Sequence, residues 1–340
     1  MNGKCKIEHR RTFPQFNQFV GRRKYINLIL IKVHPELLHH VPEIVSLMGQ
    51  GTPREDIACG AVGSVAAKVA VQVARKAADD AYFLTGGFCD SAMILRKLVL
   101  VDFSHSGNQV SARTKFELLN CNNCGRSVHY IVTAPKSVIP LLENKYGNIY
   151  LDNLVQPLTV ELKYGDLFAN ALNKATIDIG YGKATMNKCK NLSIESKYSG
   201  IKIDEAGQIV ADSKYDNYRI ESVSDFEIET GYTDVRIGKL NKRLTADRLR
   251  YGGLKISEVA KDFSEIRVDA AYSNVKLGLT EEHAFKAALY TNYGNIDTGN
   301  LTFHNVSLKK KGCIVGTAGK SNNPNASVNI SVSYGGIVFK

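Results

Sequence analysis

The chain has 340 residues, 44% of them hydrophobic, yet no run of 18 apolar residues, so it can hold a large core but has no segment suited to cross a membrane as a helix. Lys and Arg number 44 against 33 Asp and Glu, a formal charge of +11 that points to acidic partners. Seven Cys, odd in number and irregularly spaced, do not make a disulfide framework.

The start, MNGKCKIEHRR, lacks the apolar stretch of a signal peptide and, read literally, keeps the chain in the cytoplasm. Residues 1–97 differ in texture from the rest. Four of the eight His fall here, at His9, His34, His39 and His40, and Ala61 to Tyr82 is predicted as an Ala/Val-rich amphipathic helix. His34, Glu36, His39 and His40 lack i, i+4 spacing with a third ligand and are not assigned to a metal. Cys121 and Cys124 form a C-x-x-C in an Asn-rich turn; this is half a zinc site, with Cys189 and Cys313 distant in sequence.

From residue 146 a repeat takes over. Tyr146, Tyr164, Tyr181, Tyr198, Tyr215, Tyr232, Tyr251, Tyr272 and Tyr293 follow one another at steps of 17 to 21, and Tyr334 comes 41 later, about two of the longer steps. Such a period marks stacked units, each burying its apolar face against a neighbour. The residue after each Tyr is small or turn-forming, and the next (Asn148, Asp166, Lys183, Gly200, Asn217, Asp234, Gly253, Asn274, Asn295, Gly336) tolerates positive φ cheaply in all but Lys183, so a bend is predicted there.

Apolar residues two apart flank the bend, as in Ile177 and Ile179 before it, or Ile201 and Ile203 after it. About 17 residues are too few for a propeller blade and hold no long helix. The fold class is therefore all-β, a parallel β-solenoid of 17–21-residue coils over residues 98–340, with the Tyr rings stacked near a common corner. GTAGKS (Gly316 to Ser321) lacks the first Gly of a phosphate-binding loop, since Ile314 stands there, and no nucleophile elbow occurs.

The segments KYGNIYLDNL (Lys145 to Leu154), SKYDNYRI (Ser213 to Ile220), YTDVRIGKL (Tyr232 to Leu240) and RYGGLKISEV (Arg250 to Val259) resemble the bacterial adhesin-type repeat family, a domain of unknown function in exported proteins. The likeness runs from about Asp102 to Lys340, with Phe103 to Glu117 similar to its lead-in strands. It implies a β-solenoid, export to the periplasm, cell surface or medium, and no established catalytic residue. Lys6 to Pro14 resembles the family's opening strand, whereas Gln15 to Arg96 does not continue it; that stretch is either a helical or disordered cap or a segment read in a shifted frame.

One constellation carries a binding reading. Lys202, Arg219, Arg236, Lys255 and Lys276 stand four residues after successive Tyr, between apolar neighbours, so stacking would align them into an outward basic column about 20 Å long. Like charges on adjacent strands repel, which calls for nearby acids such as Asp204 and Glu221 or for a bound polyanion. A second row, Lys145, Lys163, Lys197, Lys214 and Arg250, precedes the Tyr and is interrupted at Gly180. The reading is a non-enzymatic, adhesin-like interaction protein without cofactor or metal, its partner an anionic glycan or cell-envelope polymer rather than nucleic acid. The rival is a polysaccharide lyase or hydrolase, which would need carboxylates grouped on one face; a scaffold without ligand is the third reading.

Overall fold

The computed structural model describes residues 136–320 and 324–340 and, before them, a set of strands; every regular element described is β. None of the described residues forms a helix long and apolar enough to cross a membrane. The chain divides into two compact units, Met1–Leu172 and Asn173–Lys340.

The first unit holds β1 (Lys4–Ile7), β2 (Ile26–Lys32), β3 (Val45–Leu47), β4 (Asp56–Ser64), β5 (Ala67–Ala77), β6 (Val99–Ser106), β7 (Gln109–Phe116), β8 (Arg126–Thr133), β9 (Ile139–Asn144), β10 (Ile149–Leu151) and β11 (Leu158–Lys163). The unit boundary falls inside β12 (Leu167–Gly180). An antiparallel sheet runs β1-β8-β5-β4-β3. The helix predicted over Ala61 to Tyr82 is therefore corrected to strand where the residues are described. Val69, Val71 and Val73 alternate with period 2, and β5 finds ladder partners on both sides, in β4 and β8.

Strands on either side of residue 98 also share sheets, since β2 lies antiparallel to both β7 and β9. The predicted division at 97/98 is not where the compact units part, and the parallel coils begin not at residue 98 but with β9, which pairs with β11, followed by β10 with β12. Between 99 and 133 the pairing is antiparallel.

The second unit is the main stack. Its strands are β13 (Lys183–Lys197), β14 (Gly200–Lys214), β15 (Asn217–Gly231), β16 (Asp234–Arg250), β17 (Gly253–Val259), β18 (Glu265–Ala271), β19 (Asn274–Leu277), β20 (Phe285–Asn292), β21 (Ile296–Asp297), β22 (Phe303–Lys310), β23 (Cys313–Ala318), β24 (Ala326–Ser333) and β25 (Ile337–Phe339). β13 to β16 pair in parallel one coil apart, Ile203 for example facing Met186 and Ile220. Within a coil the buried positions are Ile201, Ile203, Ala206, Ile209, Ala211 and Ser213, and in the next Tyr218, Ile220, Val223, Phe226, Ile228 and Thr230. The spacing of two opens to three around residue 206, where the strand turns its inner face back on itself. Tyr218 and Phe226, on opposite sides of that turn, meet with ring centroids 6.3 Å apart.

The stacked Tyr corner is present, with a different backbone from the one predicted. Left-handed φ belongs to Tyr itself, at 53 to 61° in Tyr164, Tyr181, Tyr198, Tyr215, Tyr232, Tyr251, Tyr272, Tyr293 and Tyr334, and not to the residue two places on. A bulky residue there costs roughly 1–2 kcal/mol. The offset comes from ring stacking, worth roughly 0.5–1.5 kcal/mol per pair: Tyr181, Tyr198, Tyr215, Tyr232, Tyr251 and Tyr272 lie face to face at 4.8 to 5.0 Å. In the first unit Tyr146 stacks on Tyr164 at 5.2 Å.

The small residue after Tyr answers to crowding instead. A Cβ at Gly252 would lie 2.0 Å from the Thr233 carbonyl oxygen. Where that residue has a side chain, its oxygen accepts the backbone N–H one coil earlier, as Asp216 does from Ser199 (2.6 Å) and Ser273 from Gly252 (3.2 Å).

Chain order and spatial order part company at the far end. β24 is parallel to both β18 and β20, and β25 to both β19 and β21, so the last coil is inserted between two earlier ones. Tyr334 accordingly stacks between Tyr272 and Tyr293, at 4.8 Å from each. The 41-residue step is thus no pair of ordinary coils: it contains the β22–β23 hairpin, which lies antiparallel along the outer edge of β20. Gly316 to Ala318 of the GTAGKS segment sits inside β23, a ladder strand and not a phosphate loop.

Two outcomes follow. Deleting residues 324–340 empties the place between β18 and β20, and limited proteolysis with mass spectrometry is expected to cut within 280–320 while β13–β17 stay protected; equal protection of both would refute the insertion as the anchor. Replacing Tyr215 by Gly is expected to leave the protein more stable than replacing it by Ala, by roughly 0.5–1 kcal/mol, the reverse of the usual order, because only Gly relieves the left-handed backbone. Urea unfolding of the two variants checks it.

Candidate functional site

The pleat puts alternate residues outside, and parallel register brings equivalent positions side by side. Lys202 faces Arg219, Arg219 faces Arg236, Arg236 faces Lys255 and Lys255 faces Lys276, all five exposed on one outward face of the second unit. Adjacent strands ~4.8 Å apart make the column about 19 Å long. Thr185 precedes it, and Val338 and then Asp297 end it, since the inserted coil supplies the next rung.

Its charges are largely uncompensated. Lys202 pairs with Asp204 at 3.6 Å, while Arg219, Arg236, Lys255 and Lys276 make no ion pair with any described residue. Several cations elsewhere on the same stack meet an acid one coil away, Lys188–Glu205 at 2.7 Å, Lys239–Glu258 at 2.6 Å, Arg243–Asp225 at 3.0 Å and Arg250–Asp269 at 3.0 Å, while Lys190, Lys214 and Lys286 make no ion pair among the described residues but do not line up as a column. Each exposed pair is worth little by itself, about 0–1 kcal/mol, but together they cancel the field between coils. The column does not.

The second basic row is not comparable. Lys197 faces Lys214, but Gly231 then interrupts before Arg250, and Lys163, Lys197 and Arg250 are each engaged with an acid, Glu161, Glu195 and Asp269. Glu195 beside Lys197 holds that ammonium above its ordinary range.

Next to the lower end of the column is an open cleft of about 640 Å³, lined among others by Ser257, Gly278, Glu258, Asp262, His283 and Lys340. Its chemistry is committed to the fold. Thr280 N–H donates to His283 Nδ1 at 3.0 Å, so Nε2 carries the proton and donates to the Val259 carbonyl at 2.8 Å. Glu258 is tied to Lys239, and the Lys242 ammonium holds the Asp262 carboxyl below the usual carboxylate range. Both ring nitrogens of His283 are thus hydrogen-bonded within the fold, and both carboxylates have ammonium partners.

Asp216 is buried and accepts from Ser196 Oγ (2.7 Å), Ser213 Oγ (2.6 Å) and the Ser199 and Lys214 N–H groups, which makes it a corner fastener. Cys121, Cys124, His34, Glu36, His39 and His40 lie outside the described residues. Cys189 and Cys313 are buried free thiols, and burial pushes the Cys189 thiol up to about 11, away from thiolate chemistry at neutral pH. Among the described residues no group of His, Cys, Asp and Glu could hold a metal ion.

No protein-family model matches the chain, and no curated protein or solved structure does either.

Sequence reading finds the column by its offset from Tyr, but misses which of its members are paired. That depends on how far Asp204 and Glu221 reach across the face, and no spacing rule supplies it. Replacing Arg219, Arg236 and Lys255 together by Gln is expected to change unfolding free energy by under about 0.5 kcal/mol per site. Added salt should stabilise the wild type more than this variant, because only the wild type has the repulsion that salt screens; equal salt responses in urea unfolding would show the column already neutralised.

Proposed function

We propose that this protein is a non-enzymatic, adhesin-like interaction protein, exported to the cell envelope, whose solenoid offers the Lys202–Lys276 column to an anionic glycan or similar acidic polymer. One observation carries the reading: five cations stand on adjacent strands in unbroken register and four of them make no ion pair with any described residue, whereas several cations nearby on the stack are matched with acids a coil away. An array of unscreened like charge costs stability unless a counter-charge arrives, and a polyanion bridging several rungs supplies it by releasing its own counterions. Binding is favoured over cleavage because the imidazole and carboxylates of the adjoining cleft are used internally. The resemblance of the repeats to exported adhesin-type domains supports the same reading.

The test is binding of the full chain to acidic glycans at two or more salt concentrations. Wild type is expected to bind with an affinity that falls steeply with salt. The Arg219→Gln, Arg236→Gln, Lys255→Gln variant is expected to bind at least roughly tenfold more weakly, with a salt slope shallower by about 2. Equal binding by the two proteins would sink the proposal.

A further inference from the structure

The coils of the second unit do not have equal lengths, yet the column face does not register the difference. Relative to β15, β16 carries two additional residues, and they enter at register shifts between Val223 and Asp225 and between Glu229 and Gly231; the second coincides with Arg248, which takes left-handed φ. The longer coil after it adds its residues in the loop between β17 and β18 and shifts register again between Ala246 and Leu249. All of these lie away from the column. Gly200–Ile203, Asn217–Ile220, Asp234–Ile237, Gly253–Ile256 and Asn274–Leu277 pair without a single slip. The result is a straight line of cations with a constant step, the ~4.8 Å of parallel strands.

A second constraint comes from the tyrosines bordering this face. Beside the column, the rings of Tyr198, Tyr215, Tyr232, Tyr251 and Tyr272 are about half exposed, Tyr215 by 47%, but both faces of each are covered by neighbouring rings at 4.8 to 5.0 Å, so this stretch presents edges and phenolic hydroxyls; Tyr293, beyond the column's end, is 74% exposed and stacks on Tyr334. Single-stranded nucleic acid binding relies on open aromatic faces on which bases stack, and those are absent beside the column. Duplex DNA carries a charge every ~1.7 Å of axis, wound on two strands that cross a straight column obliquely. An extended acidic peptide places same-side carboxylates about 6.7 Å apart, two strand residues, and falls out of step with the column after two rungs.

We infer, building on the binding reading above, that the column is matched to the charge spacing of a linear polyuronate: a chain of six-membered sugar rings with one carboxylate per ring, laid along the stack axis. Such a chain in extended form advances by close to one strand spacing per ring. Each rung therefore meets one carboxylate, and the long Lys and Arg side chains reach carboxylates on either side of the chain. The rings are held through their charges and hydroxyls, with no aromatic face to stack on.

The experiment compares the full chain's affinity for polygalacturonate, poly-L-glutamate and duplex DNA at equal charge concentration, in about 0.15 M salt, and adds a length series of oligogalacturonates. Polygalacturonate is expected to bind at least roughly tenfold more tightly than either rival, with affinity rising steeply up to about five rings, the length of the column, and flattening beyond. The triple Gln variant should lose this preference. If all three polymers bind alike at equal charge, or if either rival wins, spacing is not read and this inference falls while the general polyanion reading stands. If none binds, both fall.

Discussion

Everything in the second unit depends on parallel coils coming into register at one strand spacing. That spacing lets each Tyr ring lie flat on the next, and the stacking in turn sustains a left-handed backbone that tyrosine would otherwise avoid. Strain and stacking are of similar size and occur at the same residue, so the one offsets the other. Asn would adopt the left-handed turn at lower cost but could not stack. The crowded residue beside Tyr is then forced to be Gly, or a Ser, Thr or Asp whose oxygen takes up a backbone N–H of the adjacent coil.

A stack of parallel strands leaves an edge of unpaired backbone at each end, an invitation to further strands. Each unit closes its own. In the first, β2 runs antiparallel along β9. In the second, β23 covers β20 and β22 covers β23, and the outermost strand is itself irregular, with Asn305 in left-handed φ and a register break between His304 and Leu308. An outer strand kinked in this way is a poor template for another chain. The inserted coil of β24 and β25 locks the arrangement, because among the described residues β20 and β21 join the ladder of the stack through it, with the Phe263–Phe285 ring contact, at 6.1 Å, reaching the coil beyond. The approach of backbone is close there, a Cβ at Gly335 falling 1.8 Å from the Ser273 carbonyl oxygen.

Charge follows the same geometry with two outcomes. Register places like positions side by side, so a cation recurring at one offset from Tyr must either find an acid at a neighbouring offset or stand against its own kind. Around the far corner the first solution prevails, with pairs such as Lys261–Glu282 spanning one coil. On the face after Tyr the second does, and only Lys202 is relieved.

The sequence alone determined the architecture of residues from Tyr146 onward, because a solenoid repeats its local instructions: period, alternation and the Tyr-plus-small-residue pair are all readable within 17 to 21 residues. The outward placement of Lys202, Arg219, Arg236, Lys255 and Lys276 follows from the same short-range parity. Three matters were settled only by tertiary structure. The left-handed residue is Tyr and not the Gly, Asn or Asp beyond it, since stacking between coils outweighs intrinsic preference. The 67–77 segment is strand, since the partners β4 and β8 outweigh its Ala-rich composition. The last coil lies between its predecessors, since any coil of the repeat can pair with any other and only the closure of the end decides which.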